Sequence, residues 1–202
     1  MIKTSSTKDI AREIFRKYQI RVSVEALASF AEMLTPIRLK YRSYLYKYGA
    51  DINNIYYIEN GLVCTSHKNE YDGEELVDGF HHEGDIIVPL NLFSESTSRQ
   101  QAKTIEPTAC FALPYHALRQ RAAAHPEFNE LLFAIFEENT QRDKSYMDLI
   151  ALNPKERYST LTGMDSDIIW RNAIKAIANY LRMRSETLSR VRTSLSSKKS
   201  KV

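Results

Sequence analysis

The sequence predicts an α+β protein in which an antiparallel β domain lies between helical segments. Short runs rich in Tyr, Ile and Val fill residues 37–118 and are broken by glycines at 49, 61, 73 and 84, whereas glycine is absent from 85 to 162. Evenly spaced turns between short strands are typical of a β sandwich or barrel. Apolar residues at helical spacing precede and follow this region. We therefore expect domains at 1–125, 126–151 and 152–202.

The N-terminal helices are predicted by two short periodic segments. Residues 7–18 carry Ile10, Ile14 and Phe15 at helical spacing after Thr7, a candidate cap. Residues 23–34 repeat the pattern from Ser23. Side-chain oxygens of Ser and Thr cap helix N-termini by accepting a backbone N–H, so both segments have a start signal.

The longest helix is predicted at 126–151, beginning at Pro126. A heptad stripe runs along it through Phe128, Leu132, Ile135, Asn139, Arg142, Tyr146 and Leu149. About 24 helical residues at about 1.5 Å each would make a rod of roughly 36 Å, which is longer than a small barrel needs. A parallel homodimer, with Asn139 paired to its own copy, explains the stripe; packing of the stripe on the barrel gives the same spacing.

Composition narrows the function classes. The chain has 202 residues, of which 43% are hydrophobic and 26% charged, as in ordinary globular proteins. Its two cysteines, Cys64 and Cys110, form no CxxC pair, which excludes a disulfide scaffold and a site ligated by cysteines alone. No run approaches about 18 apolar residues, and the N-terminus lacks a leader pattern, so we expect a cytoplasmic protein with no membrane partner.

Charge is divided unevenly along the chain. Residues 151–202 hold eleven Lys and Arg against four Asp and Glu, whereas the chain as a whole has a net charge of only +3. A small basic domain attached to an acidic one suggests a polyanion partner, because neutralisation of phosphates dominates nucleic-acid affinity. A solvated basic tail is the alternative explanation.

A helix-turn-helix pattern lies within this basic segment, at 172–196. Ile174, Ile177 and Leu181 form one apolar face, and Ser185 is a candidate cap for a second helix. The opposite face of that helix carries polar groups that reach base edges, with Arg190 expected to contact guanine. The residues expected to contact DNA are Arg184, Ser185, Glu186, Thr187, Ser189, Arg190, Arg192 and Thr193, of which Arg184, Thr187 and Arg192 suit phosphates.

Three motifs together resemble the CRP/FNR superfamily of bacterial transcription regulators. IANYLRMRSETLSRVRTSL resembles the helix-turn-helix of that superfamily, and SYLYKYGADINNIYYIENGLV resembles its first strands. EGDIIVPLNLF followed by SRQQAKTIEPTACFALP resembles its effector cassette and the next strand. The matches occur in the right order over residues 23–196.

The resemblance implies a cyclic-nucleotide-binding-like jelly roll, a long dimer helix and a helix-turn-helix domain. It further implies a homodimer that binds double-stranded DNA, with RNA polymerase as a candidate partner and no catalysis. Ser185, Glu186 and Arg190 match the superfamily's groove-reading positions. Arg182 stands where relatives have glycine in the turn, and we expect the SSKKSKV tail, rather than a β-hairpin wing, to contact phosphates.

The resemblance also bears on the effector. The superfamily's ribose-binding Glu is replaced near Val88 and Pro89, so cyclic AMP is not expected as the ligand, although another small effector remains open. Candidate effector-pocket residues are Leu90, Asn91, Ser98, Arg99, Gln100 and Gln101. No other cofactor is expected.

Two alternative functions compete with DNA binding. His81, His82 and Glu83 raise the possibility of a cupin-like metalloenzyme, but adjacent strand residues point to opposite faces and cannot share a metal. The other alternative is a nucleotide-sensing module whose basic tail docks on an acidic partner other than DNA. We expect no metal at the His pair.

Overall fold

The computed structural model describes residues 5–94, 97–171 and 174–199. Eight helices and eight strands occur in these ranges, and they follow one another in three blocks. Two helices come first, a β domain follows, and six helices complete the described chain. No helix within these ranges is long and apolar enough to cross a membrane.

The β domain is a jelly roll of two four-stranded sheets. One sheet has the strand order β1-β8-β3-β6 and the other β2-β7-β4-β5, and every pairing is antiparallel. The strands are β1 (Thr35–Leu39), β2 (Tyr44–Tyr46), β3 (Asn54–Asn60), β4 (Val63–Lys68), β5 (Glu75–His81), β6 (Ile86–Ile87), β7 (Gln100–Thr104) and β8 (Thr108–Pro114). This arrangement confirms the predicted α+β class and antiparallel roll.

The glycines that suggested even spacing lie at turns with positive φ. Gly61, between β3 and β4, has φ of 105°, and a Cβ there would lie 2.6 Å from Thr108 Oγ1. Only glycine tolerates both the conformation and the close approach. The glycines at 49, 73 and 84 also have positive φ, so the turn signal in the sequence was correct.

Two helices precede the roll in the chain and six follow it. They are α1 (Thr7–Lys17), α2 (Val24–Met33), α3 (Tyr115–Arg121), α4 (Glu127–Ala151), α5 (Pro154–Met164), α6 (Ser166–Trp170), α7 (Ile174–Tyr180) and α8 (Ser185–Lys199). Ser23 caps α2 as predicted, whereas α1 is capped by Ser6 rather than by Thr7. Both hydroxyls accept a backbone N–H in the first turn, which fixes where each helix begins.

Helices α1 and α2 pack against the start of α4. Phe15, Phe30 and Phe128 form an aromatic cluster with ring centroids 5.0–6.1 Å apart, and all three are buried. Edge-to-face contacts of this kind add to the free energy of burial. The cluster packs the start of α4 against both N-terminal helices.

The stripe on α4 faces the molecule's own core. Phe128, Leu132 and Ile135 are buried in the core of the roll, and Leu149 is buried in a second cluster. The side chain of Asn139 donates to the carbonyl of Ile135, 2.8 Å away, in its own helix. Packing within the chain therefore accounts for the four buried members of the stripe. The other three, Asn139, Arg142 and Tyr146, are half-buried, and the homodimer stays a prediction.

A different stripe on α4 is exposed. Phe133 and Met147 are exposed by 74% and 64%, and Thr140 lies between them. These residues are seven apart, so they share one side of the helix. Large apolar side chains left uncovered at heptad spacing mark the side of α4 that is available to a partner.

Candidate nucleic-acid interface and roll interior

The turn between α7 and α8 closes with a left-handed residue. Arg182 has φ of 53°; its N–H donates to the carbonyl of Asn179, and the N–H of Met183 donates to that of Ala178, both at 2.9 Å. This is the Schellman motif, which usually places glycine at the left-handed position. A side chain costs about 1 kcal/mol there, and the Arg182 guanidinium lies over the Tyr146 ring of α4, 5.7 Å from its centroid. The predicted departure from glycine is thus accommodated by a contact with α4.

Helix α8 has one packed face and one free face. Leu188 is buried, and Val191 and Leu195 pack beside it in the second core cluster. On the opposite face Glu186, Ser189, Arg190 and Thr193 are exposed at spacings of three and four residues. The predicted amphipathic pattern of the second helix is therefore correct.

The remaining candidate DNA contacts flank that free face. Arg184 and Arg192 are exposed, whereas Ser185 and Thr187 are half-buried at the start of the helix. In the described part of the chain no carboxylate lies within 4.0 Å of the guanidinium groups of Arg184, Arg190 and Arg192. Arg184, just before α8, and Arg190 and Arg192 on it thus present three cations beside polar hydroxyls, which suits a phosphate-lined groove.

Part of the basic tail lies outside the described residues. Helix α8 extends to Lys199, and Lys201 falls beyond it. None of the described residues after Ser185 forms a strand. The expectation that the tail contacts phosphates stays a prediction.

The helix-turn-helix domain docks on the β4–β5 side of the roll. Leu62, Cys64, Val77 and Phe80 of the roll share one buried cluster with the C-terminal helices. The helical members of that cluster are Leu149, Tyr158, Leu161, Ile168, Ile177, Ala178, Leu181 and Leu188. A common core fixes the position of α8 relative to the roll.

Polar contacts that sequence reasoning missed complete the docking. The side chain of Asn179 accepts from the N–H of Val77 at 2.6 Å and donates to the carbonyl of Glu75 at 2.8 Å. It thereby pairs with the outer edge of β5, which is otherwise a free sheet edge. Arg171 pairs with Glu83 and Glu106 at 2.9 and 2.7 Å. No local pattern signals contacts between residues about 70–100 positions apart.

The two adjacent histidines point to different partners. His81 Nε2 lies 3.1 Å from the Thr65 hydroxyl inside the roll, whereas His82 Nε2 lies 2.8 Å from Asp165 Oδ2 in the helical domain. The candidate metal pair is therefore split between two sites. Within the described residues no group of three or more His, Cys, Asp or Glu side chains could hold a metal ion.

The His82–Asp165 pair gives a pH-dependent link between the domains. Interaction with Asp165, together with Asp85, raises the pKa of His82 from 6.5 to about 9. The pKa of His82 is higher in the folded state than in the unfolded state. The ion pair therefore stabilises the folded protein fully below pH 6.5, and this stabilisation is lost as pH rises through about 9.

We expect His82→Gln to remove this pH dependence. The wild-type free energy of unfolding should fall by about 1–2 kcal/mol between pH 6.5 and 9.5, after discounting for solvent screening, and the variant should show a flatter profile. Urea unfolding at both pH values measures the difference. Parallel profiles for the two proteins would show that His82 does not carry the effect.

A polar cluster occupies the roll interior near β5. Asp78 is the extra residue of a β-bulge, since Thr65 pairs with Gly79 and Ser66 with Val77. Its carboxylate accepts from Gln100 Nε2 at 3.1 Å and lies 2.8 Å from His67 Nδ1. The bulge turns an acidic side chain inward.

This internal carboxylate is ionised. Burial opposes the charge on Asp78, but hydrogen bonds from His67, Thr65 and Gln100 outweigh it and hold its pKa below the usual value. Gln100 also accepts from the Tyr46 hydroxyl at 2.7 Å. A fixed negative charge therefore faces the space inside the roll, and it repels a phosphate.

A second network joins the roll to α4. The Arg142 guanidinium donates to His81 Nδ1 and to Asp85 Oδ1, both at 2.9 Å. Burial, and next the charge of Arg142, lowers the pKa of His81 to about 4, so this ring is neutral. Burial opposes ionisation of Asp85, yet contacts with His82 and Arg142 hold its pKa well below the usual value. The network fixes α4 against the turn between β5 and β6.

The six candidate effector residues do not line one pocket. Gln100 faces the interior, whereas Gln101 faces outward and donates to Ser66 and Glu75. Arg99, with 77% of its side chain exposed, lies 3.5 Å from Glu70 in solvent. Alternation along β7 separates neighbouring residues in this way.

The other three effector candidates serve local structure or lie at the surface. The Ser98 hydroxyl is buried and donates to the carbonyl of Gln100. Leu90 is exposed, and Asn91 occupies a turn with φ of 69°. Their role as effector contacts stays a prediction.

The N-terminal half of the chain matches a known domain family. The model of the cyclic nucleotide-binding domain family matches residues 36–125. That range spans the eight described strands, except for Thr35 at the start of β1, and extends through α3.

A sequence relative matches most of the chain. The transcriptional activator protein Anr of Pseudomonas protegens is 25% identical over 167 residues, which cover 77% of this chain and 68% of the relative.

Solved structures share the fold over both domains. FixK2 from Bradyrhizobium japonicum superposes with a TM-score of 0.71 at 20% identity, covering 82% of this chain and 85% of FixK2. The c-di-GMP responsive global regulator CLP of Xanthomonas campestris gives 0.69 at 19% identity, covering 87% and 93%. The catabolite activator protein of Thermus thermophilus gives 0.55 at 15% identity, covering 92% and 87%.

Proposed function

The chain belongs to the CRP/FNR superfamily of transcription regulators, and we propose that it acts as a homodimer that binds a two-fold symmetric DNA site through α8. The free face of α8 carries this proposal. Ser189, Arg190 and Thr193 lie together on it and are exposed. A recognition helix of this kind enters the major groove with its N-terminal half against base edges.

Arg190 is the residue proposed to read sequence. Its guanidinium is exposed near the middle of the free face, and arginine recognises guanine through two parallel hydrogen bonds. Arg184 and Arg192 flank that face and are proposed to contact phosphates, which position the helix without reading sequence. These roles separate specificity from general affinity.

The exposed side of α4 supports the homodimer. Phe133 and Met147 are the large apolar side chains on its solvent face, and a second copy of α4 would cover both. An interface made by the same side of two identical helices has two-fold symmetry. Two recognition helices set about 34 Å apart would then enter successive major grooves.

The roll is proposed not to bind a cyclic nucleotide in its interior. Asp78 is ionised there, and Arg99 lies outside in solvent. Among the described residues, a cyclic phosphate there would meet the Asp78 carboxylate while Arg99, the cation expected to bind it, lies outside, which makes its transfer from water unfavourable. Relatives that respond to nucleotides therefore do not by themselves identify an effector for this chain.

Selection of bound sequences from a random duplex pool tests the function. We expect a palindromic consensus for the wild-type protein at near-physiological salt. Arg190→Ala should lose about 1–3 kcal/mol of specific affinity and relax the consensus at one position in each half-site. Arg192→Ala, a matched control, should weaken all sequences alike and reduce the salt dependence.

Two results would contradict this function. Enrichment of no sequence would remove the proposal of a sequence-specific regulator. An unchanged consensus for Arg190→Ala would remove the role assigned to that side chain while leaving DNA binding in place.

A further inference from the structure

The turn between β5 and β6 holds helix α6 at both of its ends. His82 Nε2 lies 2.8 Å from Oδ2 of Asp165, the residue that caps the start of α6. The next residue of the turn, Glu83, pairs with Arg171 at the end of α6, 2.9 Å away. Two adjacent residues of the roll thus contact both ends of one short helix, an arrangement that we term the α6 clamp.

The clamp acts on the helices proposed to bind DNA, because α6 precedes them directly. Helix α6 ends at Trp170, and α7 begins at Ile174 and is followed by α8. Ile168 of α6 is buried in the same cluster as Ile177 of α7 and Leu188 of α8. Since closely packed side chains transmit strain, a movement of α6 relative to the roll also moves the recognition helix.

The Glu83 end of the clamp keeps its charges at neutral and alkaline pH. Burial opposes the charge on Glu83, but the hydrogen bond from Arg171 outweighs it and lowers the pKa of Glu83. The same contact raises the pKa of Arg171. Glu83 also accepts from the N–H of Gly61 at 2.8 Å, and Arg171 pairs with Glu106 at 2.7 Å. This end therefore stays closed as the pH rises.

The His82 end of the clamp depends on a proton. A protonated His82 ring attracts the Asp165 carboxylate, and the two side chains are only 24% and 22% exposed, so water screens the pair incompletely. Interaction with Asp165, and next with Asp85, raises the pKa of His82 to about 9. The ring is therefore charged at neutral pH and loses its charge above about pH 9.

The other charged groups around His82 come from the turn, from α4 and from α1. Asp85 lies 3.6 Å from His82 Nδ1 and pairs with Arg142 of α4 at 2.9 Å. His81 is neutral, because burial lowers its pKa to about 4. Lys17 of α1 donates to a backbone carbonyl of the turn at 2.9 Å. The turn is thus anchored to α4 and α1, while its contact with Asp165 is the one that a proton controls.

We propose that the α6 clamp is a proton-operated device that fixes the orientation of the recognition helix. With His82 protonated, both ends are closed, and the two α8 helices of a dimer keep the spacing that a palindromic site requires. Loss of the proton opens the Asp165 end, so that α6 turns about Arg171 and the recognition helices sample a wider range of orientations. The inference rests on the proposed function and adds a regulation by pH to it.

Binding to a palindromic site and to an isolated half-site, each at pH 7 and at pH 9.5, tests the effect on DNA recognition. The orientation of α8 matters most when both recognition helices bind at once, because it sets the effective concentration of the second helix. For the wild-type protein we expect the ratio of full-site to half-site affinity to fall at least about threefold from pH 7 to pH 9.5. Charge changes elsewhere alter both affinities alike and cancel in the ratio.

Three variants assign the effect to the clamp. His82→Lys keeps a positive charge opposite Asp165 at pH 9.5, so its ratio should stay constant. Asp165→Asn removes the attraction but keeps an oxygen that caps α6, so its ratio should already be low at pH 7 and fall no further. His116→Lys, the matched control at an exposed histidine of α3, should behave as the wild type.

The single tryptophan of the chain reports on α6 without DNA. Trp170 is the last residue of α6 and is 82% exposed. Time-resolved fluorescence anisotropy should show that nanosecond motion at Trp170 increases with a midpoint near pH 9 in the wild type. The transition should be absent from His82→Lys.

Three results would overturn the proposal. They are a constant affinity ratio for the wild type, an equal fall of the ratio in His82→Lys, and motion at Trp170 that does not change with pH. Thermal unfolding identifies a variant that folds poorly, and the comparison then uses the other clamp variant. Absence of binding to any DNA at pH 7 would instead remove the proposed function, and the measurement on Trp170 would still decide whether α6 is released.

Discussion

Phe133→Glu on α4 is expected to convert the protein from dimer to monomer and to abolish tight binding to a palindromic site. A charge at position 133, in the exposed stripe of α4, cannot be buried against its own copy without a large desolvation cost. Loss of the second half-site removes the gain from bivalent binding, so affinity for the full site should fall at least about 100-fold. Analytical ultracentrifugation and gel-shift titration measure the two effects.

Controls separate assembly from folding and from DNA contact. Ser145→Glu places the same charge at an exposed position on another side of α4 and should leave the dimer intact. Binding of Phe133→Glu to an isolated half-site should match that of the wild type, because α8 is untouched. A dimeric Phe133→Glu protein would show that this side of α4 does not form the interface.

Arg142→Leu is expected to destabilise the fold by about 3 kcal/mol at neutral pH. The substitution leaves the Asp85 carboxylate, which is only 17% exposed, without its guanidinium partner. Breaking one side of a buried ion pair usually costs about 3–5 kcal/mol, and the partial exposure of Arg142 places this pair at the lower end. Urea unfolding gives the free energy directly.

The pH dependence of the same variant distinguishes charge from packing. Asp85 has a lowered pKa, so its stabilisation is present above the unfolded value, 3.8, and is lost as pH falls below it. The wild-type protein should therefore lose more stability than Arg142→Leu between pH 6 and about 3. In the double variant Asp85→Asn/Arg142→Leu the single effects should not add. Additive effects would show that the two residues act independently.

Local signals in the sequence predicted most of the elements correctly. Glycines at the turns, the cap at Ser23 and the polar–apolar alternation of α8 each depend on neighbouring residues only. The left-handed turn at Arg182 was also visible as a departure from glycine, although its stacking on Tyr146 was not. Each of these features depends on residues within a few positions of one another in the sequence, which is why the sequence alone predicts them.

Contacts between distant segments could not be predicted in the same way. The heptad on α4 fits a dimer seam and a roll-facing stripe equally well, and only the position of the roll decides between them. The bulge at Asp78 shifts the alternation of side chains along β5 by one residue. The sequence alone therefore could not predict which face of the sheet the Asp78 side chain lies on. The prediction that Gln100 and Gln101 line one pocket neglects the alternation of side chains along a strand, which places them on opposite sides of the sheet.

The core shared by the roll and the C-terminal helices has a consequence for how the chain acquires its structure during synthesis. About 50 residues form a marginal domain, because so small a unit buries too little of its surface. Leu62, Cys64, Val77 and Phe80 supply the missing apolar surface, and they leave the ribosome before α5 to α8 do. The completed roll thus serves as a template on which the recognition helix is positioned as it emerges.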